Sequence, residues 1–214
     1  MITDYIDISP EISGATAVFP GDQPFERRIA MDFKTGHHLL LSEIRTTVHI
    51  GAHADAPNHY HPDGAAIHER ELGAYFGPCQ VIEVRIPPGE RIRPAHLSGK
   101  IIQAPRVLIK TGSYPDPQKW NQDFNSLSPE LIQWLAAQDV ILVGLDTPSV
   151  DPFDSKELEA HQAIYAADLA ILEGIILDQA TEGLYDLIAL PLRIQGADAS
   201  PVRAVLLPKG RFSS

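Results

Sequence analysis

Residues 49–61 read His49-Ile50-Gly51-Ala52-His53-Ala54-Asp55-Ala56-Pro57-Asn58-His59-Tyr60-His61 and contain four of the nine histidines in the chain. The spacing of His49 and His53 would suit one face of a helix, but Gly51 and the Ala56-Pro57 step disfavour a helix. We therefore expect a strand end that runs into a loop. Because alternate side chains of a strand point the same way, His53 and Asp55 would share a face, and a bend at Gly51 would bring His49 beside them.

This stretch predicts a metal site. Two imidazoles and a carboxylate form a ligand set suited to Zn²⁺, Mn²⁺ or Fe²⁺, with positions left open for water. The candidate ligands are His49, His53 and Asp55, whereas His59 and His61 stay open as ligands, proton carriers or loop residues. The remaining isolated histidines are expected to be ordinary surface or core residues: His37, His38, His68 and His96.

The composition excludes several classes of protein. A chain of 214 residues suits one domain, 1–214. The 17 Lys and Arg against 28 Asp and Glu give a net charge of -11, which would repel a nucleic acid, so we expect no nucleic-acid partner. No apolar run approaches the ~18 residues needed to cross a bilayer, and the first residues do not resemble a secretion signal. We therefore expect no membrane partner and a cytoplasmic location.

Other catalytic motifs are missing from the sequence. Cys79 is the only cysteine, so neither a disulfide nor a thiolate zinc site is available within the chain, and we expect this side chain to fill space. We find no G-x-S-x-G elbow, no G-x-x-x-x-G-K phosphate loop, no G-x-G-x-x-G fingerprint and no H-E-x-x-H helix. The sequence therefore gives no motif evidence for a serine hydrolase, a nucleotide-binding protein or a zincin.

The apolar pattern predicts a mixed α/β fold. Seven segments read as strands because they are aliphatic or β-branched and end at turn residues: 45–50, 80–86, 106–111, 140–146, 174–178, 187–192 and 202–207. Residues 140–145 are apolar on both alternating faces, which is typical of a strand inside a sheet that is covered on both sides.

Two helices complete the predicted fold. The first begins with Ser128 as N-cap, Pro129 in the first position and Glu130 near the positive end of the dipole. The second occupies much of 155–172 and ends before Gly174. Alternating helices and strands over 128–178, after a Pro-rich and more β-like first half, indicate a mixed sheet with flanking helices.

The histidine stretch, written His49-x-Gly-Ala-His53-x-Asp55-Ala-Pro57-x-His59, resembles the H-x-G-x-H-x-D-x-P-x-H motif of the metal-dependent cyclase-like hydrolases. The resemblance extends over residues 7–206, nearly the whole chain, and implies a swivelling β/β/α fold and a homodimer. Further segments are similar to the bacterial kynurenine formamidase branch of that family: Pro20-Gly21-Asp22, Asp146-Thr147-Pro148-Ser149, Asp154-Ser155-Lys156, Ala160-His161, Ile171-Leu172-Glu173-Gly174, Leu187–Leu192 and Asp198–Arg203.

The resemblance implies a site with two divalent ions per subunit, Zn²⁺ with Mn²⁺ as the alternative. At the matching positions, His49, His53 and Asp55 would hold one ion. Asp55 would also bridge to a second ion ligated by His161, and Glu173 would contact both ions.

Two further roles are implied by the same resemblance. His59 would carry protons during the reaction. Phe19, at a position where formamidases commonly have Trp, would contribute to the substrate pocket, because a phenyl face can stack on an aryl ring.

One pair of implied ligands conflicts with the predicted second helix. His161 and Glu173 are twelve positions apart, and an unbroken helix would separate their backbones by ~18 Å, too far to share two ions. Either the helix ends between them, with Asp168 as a cap, or His161 precedes the helix and the chain folds back. Ala166-Ala167 shows no sign of a break, so both alternatives stay open.

The implied reaction is the hydrolysis of N-formyl-L-kynurenine to L-kynurenine and formate, with a cationic or amide partner for the substrate's carboxylate left unassigned among the arginines. A related hydrolase of a cyclic or aryl amide, such as isatin, is one alternative. A non-catalytic metal-binding module is another. A free His59 beside three ligands speaks against storage, because a storage site would close its coordination sphere.

Overall fold

The computed structural model describes residues 4–212, which contain thirteen strands and two α-helices. The strands are Ile6–Asp7 (β1), Glu26–Met31 (β2), Leu41–Arg45 (β3), His53–Asp55 (β4), Phe76–Glu83 (β5), Arg91–Ile92 (β6), Arg106–Lys110 (β7), Ser126–Leu127 (β8), Leu142–Leu145 (β9), Ala170–Leu172 (β10), Gly183–Ile188 (β11), Ala199–Pro201 (β12) and Val205–Pro208 (β13). The helices are Pro129–Ala136 (α1) and Glu159–Ala167 (α2).

The main sheet is mixed and has seven strands in the order β1-β13-β11-β5-β7-β9-β10. The four strands β5, β7, β9 and β10 are parallel neighbours, whereas β11, β13 and β1 continue the sheet in antiparallel pairs. Every residue of β9 is buried, as the apolar run at 140–145 predicted for a strand covered on both faces.

Two different layers cover the main sheet. On one face, Leu131 of α1 and Ile164 of α2 pack in one core with Ile109 of β7. On the other face, the short antiparallel ladder of β4 and β12 places Ala54 in a second core with Leu108. This β/β/α layering confirms the predicted mixed α/β fold.

Helix α1 begins where the capping pattern predicted. The Ser128 hydroxyl accepts a hydrogen bond of 3.2 Å from the backbone N–H of Leu131, and Pro129 occupies the first helical position.

Within residues 4–212, no helix combines the length and apolarity that crossing a membrane requires.

The second predicted helix extends too far. Helix α2 ends at Ala167 because Asp168 adopts a left-handed backbone with φ of 50°, and its N–H donates to the carbonyls of Ile164 and Tyr165. The following residues pair with β9 as strand β10, so the prediction of helix at 170–172 is wrong. The strand predicted at 174–178 is also wrong, since this segment is irregular and β10 lies just before it.

Two other predicted strands need correction. Strand β3 ends at Arg45, so the strand predicted over 45–50 is wrong beyond its first residue, and the chain bends instead through a left-handed Gly51 with φ of 58°. The strand predicted at 187–192 is displaced to β11 and stops at Ile188, ahead of Pro191, which has no N–H for a ladder. The predictions at 80–86, 106–111, 140–146 and 202–207 correspond to β5, β7, β9 and β13 with shifted ends.

Candidate metal centre

Strand β4 sets the geometry of the cluster. His53 and Asp55 are both 2% exposed and point from the same face of the strand, with the His53 Nε2 atom 3.5 Å from Asp55 Oδ1. The alanines between and beside them, Ala52, Ala54 and Ala56, lie in the core on the opposite face. Small side chains on that face let the strand lie close to the main sheet.

His49 joins the cluster through the bend at Gly51, as the sequence predicted. Its Nδ1 atom lies 3.0 Å from Asp55 Oδ1, and its side chain is 15% exposed. The left-handed conformation of Gly51 turns the chain between His49 and β4.

Glu173 follows β10 and is tied to His53 through the backbone. The two residues exchange N–H···O=C hydrogen bonds of 3.0 and 2.9 Å, and Glu173 Oε2 lies 3.2 Å from His53 Nε2. The next residue, Gly174, has φ of 63°, and a Cβ atom there would lie 2.2 Å from the Gly51 carbonyl oxygen. Only glycine therefore permits this close approach of the two segments.

His161 reaches the cluster from the first turn of α2. Its Nε2 atom lies 3.5 Å from Asp55 Oδ2 and 3.9 Å from Glu173 Oε1. Of the two arrangements left open by the sequence, the first is correct: the helix ends with Asp168 as its cap, and β10 returns the chain so that Glu173 lies beside His161.

The cluster contains buried polar atoms that have no hydrogen-bond partner: His53 Nε2, both carboxylate oxygens of Asp55, and His161 Nε2. Each such atom costs about 1–3 kcal/mol when nothing compensates it. Four of them converging on one point, among three imidazoles and two carboxylates, fit a bound cation. The donor set suits Zn²⁺ and related divalent ions.

The second ring nitrogen of each histidine is already engaged. His53 Nδ1 donates to the Gly51 carbonyl at 2.9 Å, and His49 Nε2 donates to Asp198 Oδ2 at 3.0 Å. His161 Nδ1 donates to Asp151 Oδ2 at 2.8 Å. Such outer hydrogen bonds orient metal-binding imidazoles and raise their basicity. They leave one nitrogen of each ring directed toward the carboxylates.

Asp151 is a site residue that the sequence did not identify. It is completely buried; its Oδ2 accepts hydrogen bonds from His161 Nδ1 at 2.8 Å and from the His161 backbone N–H at 3.0 Å, while Oδ1 accepts from Ala160. Arg91 neutralises the carboxylate at 2.9 Å. Asp151 therefore fixes both the start of α2 and the His161 ring. The only signal was an acid ahead of a predicted helix.

Asp198 was quoted in the sequence only as part of a similar segment, without a role. Its Oδ2 lies 3.0 Å from His49 Nε2 and 3.5 Å from His59 Nδ1. Its carbonyl accepts the Ala56 N–H at 2.8 Å, next to the ladder of β4 and β12. Without knowledge of that pairing, no local signal connects Asp198 with the histidines.

His59 and His61 take different positions. His59 lies in the turn after β4, its ring centroid is 4.2 Å from that of His49, and burial lowers its pKa. With His49 and Asp55 it forms a group whose ligand atoms could meet at one ion. His61 instead stacks on Tyr165 at 3.7 Å.

The charges in the cluster shift its pKa values. Burial opposes protonation of His49, but the Asp55 carboxylate beside it raises its pKa to about 9. Burial also opposes protonation of His161, yet its hydrogen bonds to Asp151 and Asp55 raise its pKa to about 10. Burial would raise the pKa of Asp55, but the positive charge of His49 holds it well below its usual range. Without metal, protons thus supply the positive charge.

The cluster opens into a cavity of about 350 Å³. Phe19 lies in its wall, together with Trp120 and Phe153. Among the described residues that line the cavity there is no Lys or Arg, so the arginine considered for the substrate's carboxylate is not in this wall. The charged residues at the rim include the acids Asp22 and Asp178.

Comparison with known proteins identifies the family. The family model described as "Putative cyclase" matches residues 6–152. The chain belongs to this cyclase family. It is 45% identical to a kynurenine formamidase of Bordetella petrii over 95% of this chain and 98% of that protein.

Solved structures agree with this cyclase assignment. A potential metal-dependent hydrolase with cyclase activity matches with a TM-score of 0.83 and 25% identity, over 95% of this chain and 96% of that one. Isatin hydrolase A from Labrenzia aggregata matches with a TM-score of 0.79 over 97% and 94% of the two chains. Its identity of 21% shows a shared fold alone.

Metal affinity should rise with pH. His49 and His161 have pKa values raised to about 9 and about 10 without metal, so each holds a proton at neutral pH that an ion must displace. The affinity for Zn²⁺ should therefore increase by up to about tenfold per pH unit for each displaced proton, until the pH passes these values. Competition with a chelator at several pH values between 6.5 and 8.5 measures this slope. An affinity independent of pH would contradict displacement of protons from these imidazoles.

Proposed function

We propose that this protein is a metal-dependent arylformamidase that hydrolyses N-formyl-L-kynurenine to L-kynurenine and formate. The proposal rests on one combined observation of sequence similarity and site geometry. A chain 45% identical to a kynurenine formamidase over 95% of its length also has a buried His/Asp/Glu cluster that opens into a cavity with aromatic walls. The cluster suits hydrolysis, and the walls suit an aryl substrate.

Two ions are the proposed cofactors, with Zn²⁺ as the metal and Mn²⁺ as the alternative. His49, His53 and Asp55 would hold one ion, and Asp55 would bridge to a second ion held by His161. The two Asp55 oxygens support this assignment, because Oδ1 faces His49 and His53 at 3.0 and 3.5 Å and Oδ2 faces His161 at 3.5 Å. Glu173 is divided in the same way, with Oε2 facing His53 and Oε1 facing His161.

The reaction needs a nucleophile, an electrophile for the formyl oxygen and a proton for the leaving nitrogen. Divalent ions at this site would lower the pKa of water toward ~7 and polarise the carbonyl. His59 would accept a proton from the attacking water and deliver it to the anilide nitrogen, whose anion is too basic to leave. Since Asp198 Oδ2 lies 3.5 Å from His59 Nδ1, Nε2 is the nitrogen left to exchange that proton.

The charges that line the cavity favour the α-ammonium group of the substrate over its carboxylate. Asp22 and Asp178 lie in its lining, and the described lining residues include no Lys or Arg. The α-ammonium group of formylkynurenine is therefore the end matched by the protein's charge. The hydroxyl of Ser149, which accepts from the Asp151 N–H and keeps its own proton, remains as a partner for its carboxylate.

Turnover of purified enzyme tests the proposed function. We expect hydrolysis of N-formyl-L-kynurenine that a chelator abolishes and added Zn²⁺ or Mn²⁺ restores. Isatin is assayed in parallel. Hydrolysis of isatin alone would identify a different cyclase-family hydrolase. If the metal-loaded protein hydrolysed neither compound, the proposed function would be refuted in favour of a non-catalytic metal-binding module.

Replacement of His59 separates its two candidate roles. His59→Ala should lower kcat by about 10²–10⁴ while metal content stays at the wild-type value, because a proton carrier is lost and no ligand. Metal analysis and steady-state kinetics measure both quantities. His61→Ala is the matched control, since this neighbouring imidazole stacks on Tyr165 and should change neither value.

For Asp55, the proposed bridging carboxylate, we expect loss of metal as well as loss of activity. Asp55→Ala should lose metal and activity together, because both proposed ions depend on this side chain. If His59→Ala lost metal instead, His59 would be a ligand, in line with the group that it forms with His49 and Asp55.

We further propose a homodimer, supported by the hairpin of β2 and β3. Nearly every residue of its two strands is exposed, and a free two-stranded hairpin is marginally stable at best. Ile29 and Ile44 lie on one face with exposed fractions of 48% and 65%. The other face carries charges such as the pair Arg28 and Glu43. Arg27 and Ser42 lie on the same face as the two isoleucines, and exposed isoleucines among such polar groups suit burial against a second subunit.

Charge on that face should disrupt the dimer. The double variant with Ile29→Asp and Ile44→Asp should be monomeric by light scattering at a concentration at which the wild type is dimeric. The control is Glu43→Gln on the charged face, which should leave the mass unchanged. A wild type that is monomeric, or a double variant of unchanged mass, would contradict the proposed interface.

A further inference from the structure

Lys110 is a buried cation that forms no ion pair within residues 4–212. It ends β7 and is 9% exposed, and its Nζ atom donates to the carbonyls of Asp178 at 3.2 Å and Ala180 at 2.9 Å. An ammonium group removed from water lowers the stability of a fold unless its partners compensate, and an apolar side chain of similar length would fill the space without that cost. A role for Lys110 therefore lies in the two carbonyls that it holds.

The two carbonyls belong to the irregular segment 174–180, which lies between β10 and β11. Its first half is held by the backbone, since the Ile176 N–H donates to the Ile8 carbonyl at 2.7 Å. Beyond Ile176, the bonds from Lys110 are the only hydrogen bonds that tie 177–180 to another part of the described chain. Lys110 thus fixes the far end of this segment.

The same segment forms a continuous strip of the cavity wall. The strip begins at Glu173 in the candidate metal centre and ends at Asp178, and every residue between them borders the cavity. Lys110 itself does not border the cavity. It therefore holds an acid at the cavity without placing its own positive charge there.

Asp178 is the charged group at the end of this strip. Its side chain is exposed, and its carboxylate has no hydrogen-bond or ion-pair partner in the part of the chain that the structure describes. Asp22, by contrast, accepts a hydrogen bond of 3.3 Å from the Thr47 hydroxyl. Because Lys110 bonds to the carbonyl of Asp178 rather than to its carboxylate, the negative charge of Asp178 stays available to a ligand.

We propose that Lys110 is a positioning residue that sets the Asp178 carboxylate at the cavity, where it selects substrates that carry an ammonium group. The identity of that substrate, N-formyl-L-kynurenine, rests on the proposed function. Asp178 makes the charged contact with the α-ammonium group, and Lys110 holds the backbone from which Asp178 extends. Both residues act on binding, because the α-ammonium group lies away from the formamide bond that breaks.

Lys110→Met tests this role with a pair of substrates. N-formyl-L-kynurenine is compared with the same compound lacking the α-amino group, 4-(2-formamidophenyl)-4-oxobutanoate. The variant should raise KM about tenfold for the first and less than about twofold for the second, with kcat for both within about threefold of wild type, because a contact made alike in the ground state and the transition state affects KM. Lys100→Met is the matched control, since this lysine pairs with Glu182 away from the cavity and should change neither KM.

Asp178→Asn is the second variant, because it removes the charge at an exposed position and leaves Lys110 in place. It should lose the same preference, and the double variant should lose no more than either single one, because the two residues act on one contact. An equal rise of both KM values in Lys110→Met, or a fall in kcat alone, would show a merely structural role and overturn the proposal. Should Lys110→Met not fold, Asp178→Asn decides the outcome: loss of the preference supports the proposal, and an unchanged preference overturns it.

Calorimetric titration gives a readout that does not depend on turnover. L-kynurenine and its analogue without the α-amino group, 4-(2-aminophenyl)-4-oxobutanoate, are titrated into the metal-loaded proteins. The wild type should bind L-kynurenine about tenfold more tightly than the analogue, and Lys110→Met should bind the two within about twofold of each other. A wild type without preference, or a variant that keeps it, would overturn the positioning role.

The positioning role and the proposed function fail in different ways. If the wild type did not hydrolyse N-formyl-L-kynurenine but lost its preference for L-kynurenine on Lys110→Met, the arylformamidase function would be refuted and the positioning role supported. If turnover were normal but neither variant changed the preference for the ammonium group, the function would be supported and the positioning role refuted.

Discussion

Two carboxylates buried among three imidazoles are the constraint on which the structure of this protein depends. Asp55 and Glu173 are each 2% exposed, and an isolated buried charge costs several kcal/mol. Positive charge beside the two carboxylates offsets this cost. Without metal, protons on His49 and His161 supply it, as the raised pKa values of both residues indicate. Divalent ions would take the same place and leave the four unpartnered atoms satisfied.

The fold meets this constraint by fixing each ring from outside the cluster. A backbone carbonyl at Gly51 holds His53, and the carboxylates of Asp198 and Asp151 hold His49 and His161. The Asp151 carboxylate is itself neutralised by Arg91 and lies at the start of α2. Since each ring has one engaged nitrogen, the other is directed inward before any ion binds. Preorganisation of this kind reduces the entropy lost when ligands gather around an ion.

The parts of this site that follow from local chemistry could be predicted from the sequence. His53 and Asp55 share a face because a strand has a period of two, and Gly51 turns the chain because it permits a positive φ. The cap of α1 followed from Ser128 and Pro129 in the same way. These signals lie within a few residues of the groups that they position.

The parts that depend on tertiary pairing could not be predicted. Residues 170–172 continue an apolar helical pattern, yet they form β10 because the edge of β9 offers backbone hydrogen bonds that a longer helix would leave unused. Asp198 reaches His49 only because β12 pairs with β4, across more than a hundred residues of chain. The convergence of His161 and Glu173 required the reversal at Asp168, which the sequence offered only as one of two alternatives because an acid does not by itself fix a left-handed conformation.

The chemical and recognition parts of the cavity rest on different kinds of structure. The cluster residues lie on or beside β4, β10 and α2, where the backbone is buried and a shift of one residue would break the set. The aromatic wall comes from irregular segments, in which a ring can be supplied from more than one position. A phenyl group at Phe19 therefore need not reduce the aromatic surface, since the indole of Trp120 lies in contact with it. Substitutions in these loops would leave the histidine and carboxylate cluster in place, because none of the three rings belongs to a residue of that cluster.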